Sequence, residues 1–252
     1  MPMMVFLFAL LGAIIGSFAG VVAERLNTGE KWVRGRSRCN SCARELDARD
    51  LIPVLSWISS LGRCRTCYAR VPVLYVLVEL TLALLFALSY LTLGIGWSLV
   101  VMCAALSVLM VVVLYDLRHT IVPFGAAMVL LVFSVVYALL VSTSMPALGM
   151  TFIIAGCIGL GFALLFFLSQ GRAMGLGDAP VALALSLLVA PHALSGLLFS
   201  FWIGALVGIV ILVSRPKGHR MGIEVPFVPF LAVGFLLAFF TTWNPLGLVI
   251  GY

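Results

Sequence analysis

Charge is what this sequence has least of. Charged residues make up 10% of its 252 positions and hydrophobic ones 63%, against about 25% and about 45 to 50% in soluble globular domains. That balance excludes a soluble domain and predicts an integral membrane protein. Acidic residues number nine, only four of them aspartates: Asp47, Asp50, Asp116 and Asp178. No basic residue precedes Arg25. The small residues Ser17-Phe18-Ala19-Gly20 look like a signal cleavage site, but a secretory signal begins with a positive segment. The first apolar run is therefore expected to stay as a helix.

Long stretches lacking charge are the complementary signal. Crossing about 30 Å of hydrocarbon takes about 20 apolar residues, and such runs lie at 3–23, 73–93, 96–115, 121–142, 148–168, 193–213 and 226–246. A shorter run at 179–190 makes an eighth. Lys and Arg of short loops stay on the cytoplasmic side, and ten of the fifteen basic residues fall between Arg25 and Arg70. Arg118, Arg172 and the cluster Arg215, Lys217 and Arg220 fall in later loops of the same side, while the loops near Leu93, Ser144 and Pro191 have none. Eight spans satisfy this pattern and seven do not, so both termini are expected to face outward. Gly12, Gly16 and Gly20 recur every four residues in the first span, which lets a second helix approach closely.

The expected class is all-α: about eight transmembrane helices and a small cytoplasmic insert. The expected divisions are a first helix at 1–23, an insert at 24–72 and a membrane domain at 73–252. The net charge of +6 follows the inner face of the membrane and is mixed with Glu30, Glu45, Asp47 and Asp50. Anionic lipid headgroups are the partner it suits, and nucleic acid is not.

The insert carries four of the six cysteines as Cys39-x-x-Cys42 and Cys64-x-x-Cys67, with 21 residues between the pairs. Two such turns present four thiolates to one tetrahedral metal, and four thiolates leave no open position for catalysis. A structural zinc is the expectation. Disulfides are disfavoured in a reducing cytoplasm. About 50 residues bury little core, so a metal clip supplies folding energy that apolar contacts cannot. Cys103 and Cys157 lie within spans and read as packing residues.

Asp116 and Asp178 each stand at the end of an apolar segment, where an ionisable group is a functional candidate. Two spans separate them, so the chain crosses and returns and both carboxylates are expected at the cytoplasmic face. Brought together, like charges share one proton. One carboxylate then activates a water to attack an amide carbonyl while the other donates to the leaving amine. Asp178 also suits a helix N-cap, being followed by Ala179 and Pro180. Nothing structural in the sequence asks for Asp116, at the negative end of its helix, and the dipole predicts the shared proton there. Gly175 and Gly177 are expected to free a loop for positive φ and close approach to a substrate.

Several of these features together resemble the type IV prepilin leader peptidases, many of which are also N-methyltransferases. The resemblance rests on Gly16-Ser17-Phe18, the four-cysteine box, Ile52-Pro53-Val54-Leu55-Ser56-Trp57 and Tyr75-x-x-Val78-Glu79. Asp116-Leu117-x-His119 leading to Pro123, and Gly175-x-Gly177-Asp178, complete it. It implies an inner-membrane aspartic protease with Asp116 and Asp178 as catalytic pair. Its substrates would be pilin-like or pseudopilin precursors, whose basic leaders are cut after a glycine at the cytoplasmic face. It further implies methylation of the new amino terminus from S-adenosylmethionine, with Glu79 as candidate residue. Glu79 is equally open to pairing with Arg70 or Arg25. Three positions depart from the family pattern: Gly20 where Asn is usual, Leu74 where Arg is usual and Pro180 where Lys is usual.

Two other readings use the same aspartates. A presenilin-like intramembrane protease shares Tyr-Asp and Gly-Leu-Gly-Asp but not the cysteine box. A proton-coupled transporter pairs carboxylates at the midplane of inverted repeats, whereas these lie at helix ends and no repeat is evident. His119 is either a loop residue or a neighbour that tunes Asp116, and His192 and His219 read as solvated.

Overall fold

The computed structural model describes residues 1–28, 36–172, 174–214 and 225–245. The expected charges at Glu30, Arg215, Lys217 and Arg220, and His219, lie outside these. Among the described residues regular structure is helical, apart from two isolated antiparallel bridges, Arg38 to Glu45 and Arg63 to Arg70. The chain forms two compact units, Met1–Leu99 and Val100–Tyr252.

In the first unit, α1 (Pro2–Arg25) pairs with α3 (Val73–Leu93). The glycines spaced by four explain the closeness of that pair. A Cβ on Gly12 would lie 2.8 Å from Ala83 Cα, and one on Gly16 3.0 Å from Glu79 Cα. Two backbones therefore touch where any side chain would hold them apart. Gly20 is looser, with the Tyr75 ring 3.7 Å from its Cβ position. Between these helices the chain makes the cysteine turns, a single 3-10 turn at Ala48–Asp50 and the short helix α2 (Leu55–Ser59).

The second unit holds α4 (Trp97–His119), which starts in the first, then α5 (Phe124–Val141), α6 (Met145–Ser169), α7 (Asp178–Val189), α8 (Ala193–Ser214) and α9 (Val228–Thr241). The eight long apolar segments thus match the eight expected, but they differ in reach. Six are long and apolar enough to cross a bilayer. At 1.5 Å per residue, α7 spans about 18 Å and α9 about 21 Å, short of the hydrocarbon core. The protein is a multi-pass membrane protein. Helix α7 packs against α5, α6, α8 and α9, and ten of its twelve residues are buried. It is a core helix sheathed by protein, so its length need not match the lipid.

Candidate active site and thiolate centre

Asp116 lies in the last turn of α4 and is 3% exposed; Asp178 is the first residue of α7 and is 6% exposed. Both lie in the second compact unit, near enough for the charge of Asp116 to bear on the Asp178 carboxyl. Two of the scarcest side chains in the sequence, 62 positions apart, share one buried environment inside a single compact unit.

Backbone hydrogen bonds hold both residues. The Val228 amide donates to Asp116 Oδ2 at 3.1 Å, and the Asp178 amide donates to the Gly175 carbonyl at 3.2 Å, which ties the Gly175–Asp178 loop to the start of α7. Val228 is the first residue of α9 and is fully buried. Of the first amides of that helix, Phe230 bonds to the Phe227 carbonyl and Pro229 has none to offer. Asp116 thus accepts the remaining unpaired donor at a helix start. This corrects two expectations. Asp116 has a structural partner after all, and the positive end of α9 opposes the negative end of α4, removing the dipole argument for placing the proton on Asp116. The sequence signal was faint: Pro226 and Pro229 mark a helix start but do not say which distant carboxylate meets it.

The N-cap expected at Asp178 falls one residue earlier. Gly177 is the N-cap and makes no side-chain bond, while Asp178 sits in the first turn, where a negative charge suits the dipole. Pro180 occupies the same turn, where no amide is needed. Gly175 and Gly177 are also not where positive φ occurs. Gly177 has φ −64°, and among the described residues the positive-φ glycines are Gly62, Gly94 and Gly171. Space is the reason for Gly177: a Cβ there would lie 2.5 Å from the Val122 Cβ. At Gly175 an added Cβ would reach only ordinary contact, 3.7 Å from Asp178 Oδ2. His119 ends α4, exposed, its ring 4.5 Å from that of Tyr115.

In the first unit the four expected cysteines converge. Their sulfurs lie within 4.8 Å of one another, with Cys39 and Cys67 at 3.8 Å. A tetrahedral zinc with bonds of about 2.3 Å separates its sulfurs by about 3.8 Å, so the group fits a metal. The two turns repeat one design. In each the first cysteine's carbonyl accepts from the residue after the second, Ala43 to Cys39 at 2.9 Å and Tyr68 to Cys64 at 3.0 Å. Ala43 and Tyr68 both take positive φ, 55° and 57°. The Cys67 and Thr66 amides hold the Cys64 thiol down to about 6, and the Cys42 and Ser41 amides lower that of Cys39. Such amides favour the thiolate, the form that binds metal.

Glu79 is buried, and its Oε2 accepts from the Val54 amide at 2.7 Å. Among the described residues this backbone donor, and neither Arg70 nor Arg25, is its partner. Val54 has φ 62° and ψ −51°, with the Leu55 amide bonded to the Pro53 carbonyl at 2.6 Å. That is a strained three-residue turn, rare for a β-branched residue, and Glu79 supports it. A cavity of about 220 Å³ opens beside it, lined among others by Glu24, Asp50, Trp57, Tyr75 and Glu79. Tyr75 donates its hydroxyl to Glu24. Sequence reasoning found Glu79 but not the turn it holds.

Residues 10–93 match the model for the bacterial peptidase A24 N-terminal domain, and residues 103–213 match that for the type IV leader peptidase family. A prepilin leader peptidase/N-methyltransferase of Aeromonas hydrophila is 31% identical over 260 residues, covering 91% of this chain and 87% of its own. The chain belongs to the type IV leader peptidase family. A like-named protein of Bacillus subtilis is 28% identical, with 91% of both chains covered. One from Myxococcus xanthus is 34% identical over 84% of this chain, which spans 64% of that relative's length. No solved structure matches the chain. In this leader peptidase the first family match contains the whole cysteine box and Glu79, and the second contains both aspartates.

Proposed function

We propose that this protein is an aspartic endopeptidase of the bacterial inner membrane. It removes the basic leader from type IV prepilin-like precursors by cutting after a glycine at the cytoplasmic face. The new amino terminus is then methylated from S-adenosylmethionine. The proximity of Asp116 and Asp178, buried at the ends of α4 and α7, carries this reading. Two carboxylates so placed resist ionising together, so one is the base that deprotonates a water and the other the acid that protonates the leaving amine. The Val228 amide aims Asp116, the Asp178 amide bond to the Gly175 carbonyl fixes the start of α7, and Gly177 lets Val122 approach the loop closely. The family's printed names support the substrate class, and the distribution of Arg residues supports both aspartates and the cysteine box facing the cytoplasm. Divisions at 1–23, 24–72 and 73–252 fit these roles: an anchoring helix, a metal-clipped insert and a catalytic membrane domain.

Zinc, held by Cys39, Cys42, Cys64 and Cys67, stabilises the insert and takes no part in cleavage. S-adenosylmethionine supplies an electrophilic methyl on a sulfonium. The cavity beside Glu79 is lined by Arg38, Arg44, Arg63, Arg65 and Arg70 as well as by carboxylates; only its Glu24–Tyr75–Glu79 corner, with the Trp57 ring, suits a cation, and the arginines suit a carboxylate. Its volume is below the ~300 Å³ of common small-molecule sites, enough for the sulfonium end. Glu24, Tyr75 and Glu79 are the residues that would hold it.

Incubating purified protein with a leader-bearing precursor and labelled S-adenosylmethionine tests both activities by the mass of the product. Asp116→Asn and Asp178→Asn are each expected to abolish cleavage. Full cleavage by either variant would reject the protease, and loss of proton-linked uptake instead would favour a transporter.

A further inference from the structure

The insert leaves a row of large apolar side chains uncovered. Leu51, Ile52, Leu55, Ile58 and Leu61 are 47%, 46%, 63%, 55% and 83% exposed. Leu55 and Ile58, three residues apart within α2, share one side of it; Leu51 also borders the cavity. Ser56, Trp57 and Ser60 line the cavity, and the Trp57 ring nitrogen donates to the Val71 carbonyl at 3.2 Å. A folded water-facing module would bury such a row.

Where α2 sits says what covers it. The Val54 amide, immediately before α2, is bonded to Glu79, the seventh residue of α3. Six residues into a spanning helix is about 9 Å along its axis. The first turns of α3 already expose Val73, Leu77 and Leu80, side chains suited only to lipid. The start of α2 is therefore pinned beside the first turns of α3, at the level of these exposed apolar side chains. Exposed Arg49, Arg63 and Arg70 stand close in sequence on both sides of the row, as in segments that lie in an anionic headgroup layer.

We infer that the Leu51–Leu61 segment is an interfacial element, inserted into the cytoplasmic-side boundary of the bilayer with Leu55 and Ile58 among the acyl chains. Its occupant is the lipid itself. The cavity behind α2 then opens at membrane level, where an amino terminus still tethered to a lipid-embedded helix reaches it without leaving the bilayer.

The test needs no catalytic turnover, so its outcome is independent of the proposed reactions. A benzophenone amino acid is placed at Leu55, at Ile58 or, as a control, at Thr66 on the exposed second cysteine turn. The protein is put in nanodiscs of phosphatidylethanolamine and phosphatidylglycerol and irradiated. Mass spectrometry is expected to find lipid adducts at 55 and 58 at least tenfold above those at 66. Equal labelling at all three positions, or none at 55 and 58, would overturn the inference. With precursor present, a switch of the 55 and 58 adducts from lipid to precursor would overturn it too, identifying the row as a docking face for a substrate helix. Size-exclusion profiles matching the unmodified protein establish that each variant is folded.

Discussion

Replacing Asp116 by Asn and by Ala separates its two roles. Asp116 Oδ2 accepts from the Val228 amide, which is fully buried at the start of α9. Alanine removes the acceptor and strands that donor, at a cost of about 1–3 kcal/mol. Losing a helix-start acceptor costs about 1 kcal/mol in its own right, but this is the same contact seen twice, so about 2 kcal/mol is the working figure. For a unit of this size about 2–4 °C is lost per kcal/mol, which puts the expected drop at about 4–8 °C. Asparagine keeps an oxygen for Val228 and removes the repulsion with Asp178, so its stability should stay within about 1 kcal/mol of the parent. Both variants lose one member of the proposed acid–base pair, so cleavage is expected to fall about 10²- to 10⁴-fold. Thermal unfolding in detergent beside a precursor-cleavage assay reads both quantities. Equal stability of the Ala and Asn variants would refute the Val228 contact as a stabilising bond. Cleavage retained by Asn would refute the acid–base role.

Gly177→Ala forces a Cβ to within 2.5 Å of the Val122 Cβ and should cost about 1–3 kcal/mol along with activity; Gly175→Ala should do neither, and adding Val122→Gly, which removes that Cβ, should recover part of the loss. Gly12→Ala should loosen α1 from α3, and proteolysis of the insert reads the effect; unchanged resistance would count against the close approach. Stripping metal with a chelator, or Cys64→Ser, should unfold the insert and abolish methylation, with one zinc per chain measured by atomic emission before and none after. Glu79→Gln keeps an acceptor for the Val54 amide but not the charge, so cleavage should survive while methylation falls at least tenfold; intact methylation would remove Glu79 from that site.

The helices were legible in the sequence because the requirement they meet is local. A segment in hydrocarbon must satisfy its own backbone hydrogen bonds, so an uncharged run of sufficient length is a helix whatever surrounds it. The Cys-x-x-Cys spacing is local in the same sense, and the glycines at 12, 16 and 20 announced a close neighbour without naming it. Periodicity was of little help: helices apolar on every face do not reveal which face is buried, and so α7 as a protein-sheathed core helix was hidden.

What the sequence alone determined was the membrane class, the order of its helices, the four-cysteine group and the two acidic positions, each stated by composition or short spacing. Tertiary structure alone decided what surrounds those groups. The amide that holds Asp116 comes from 112 residues further along the chain, Gly177 is small because of Val122, and Glu79 supports a turn 25 residues earlier. Such pairings arise from how packed segments meet, and no local preference of either partner encodes them.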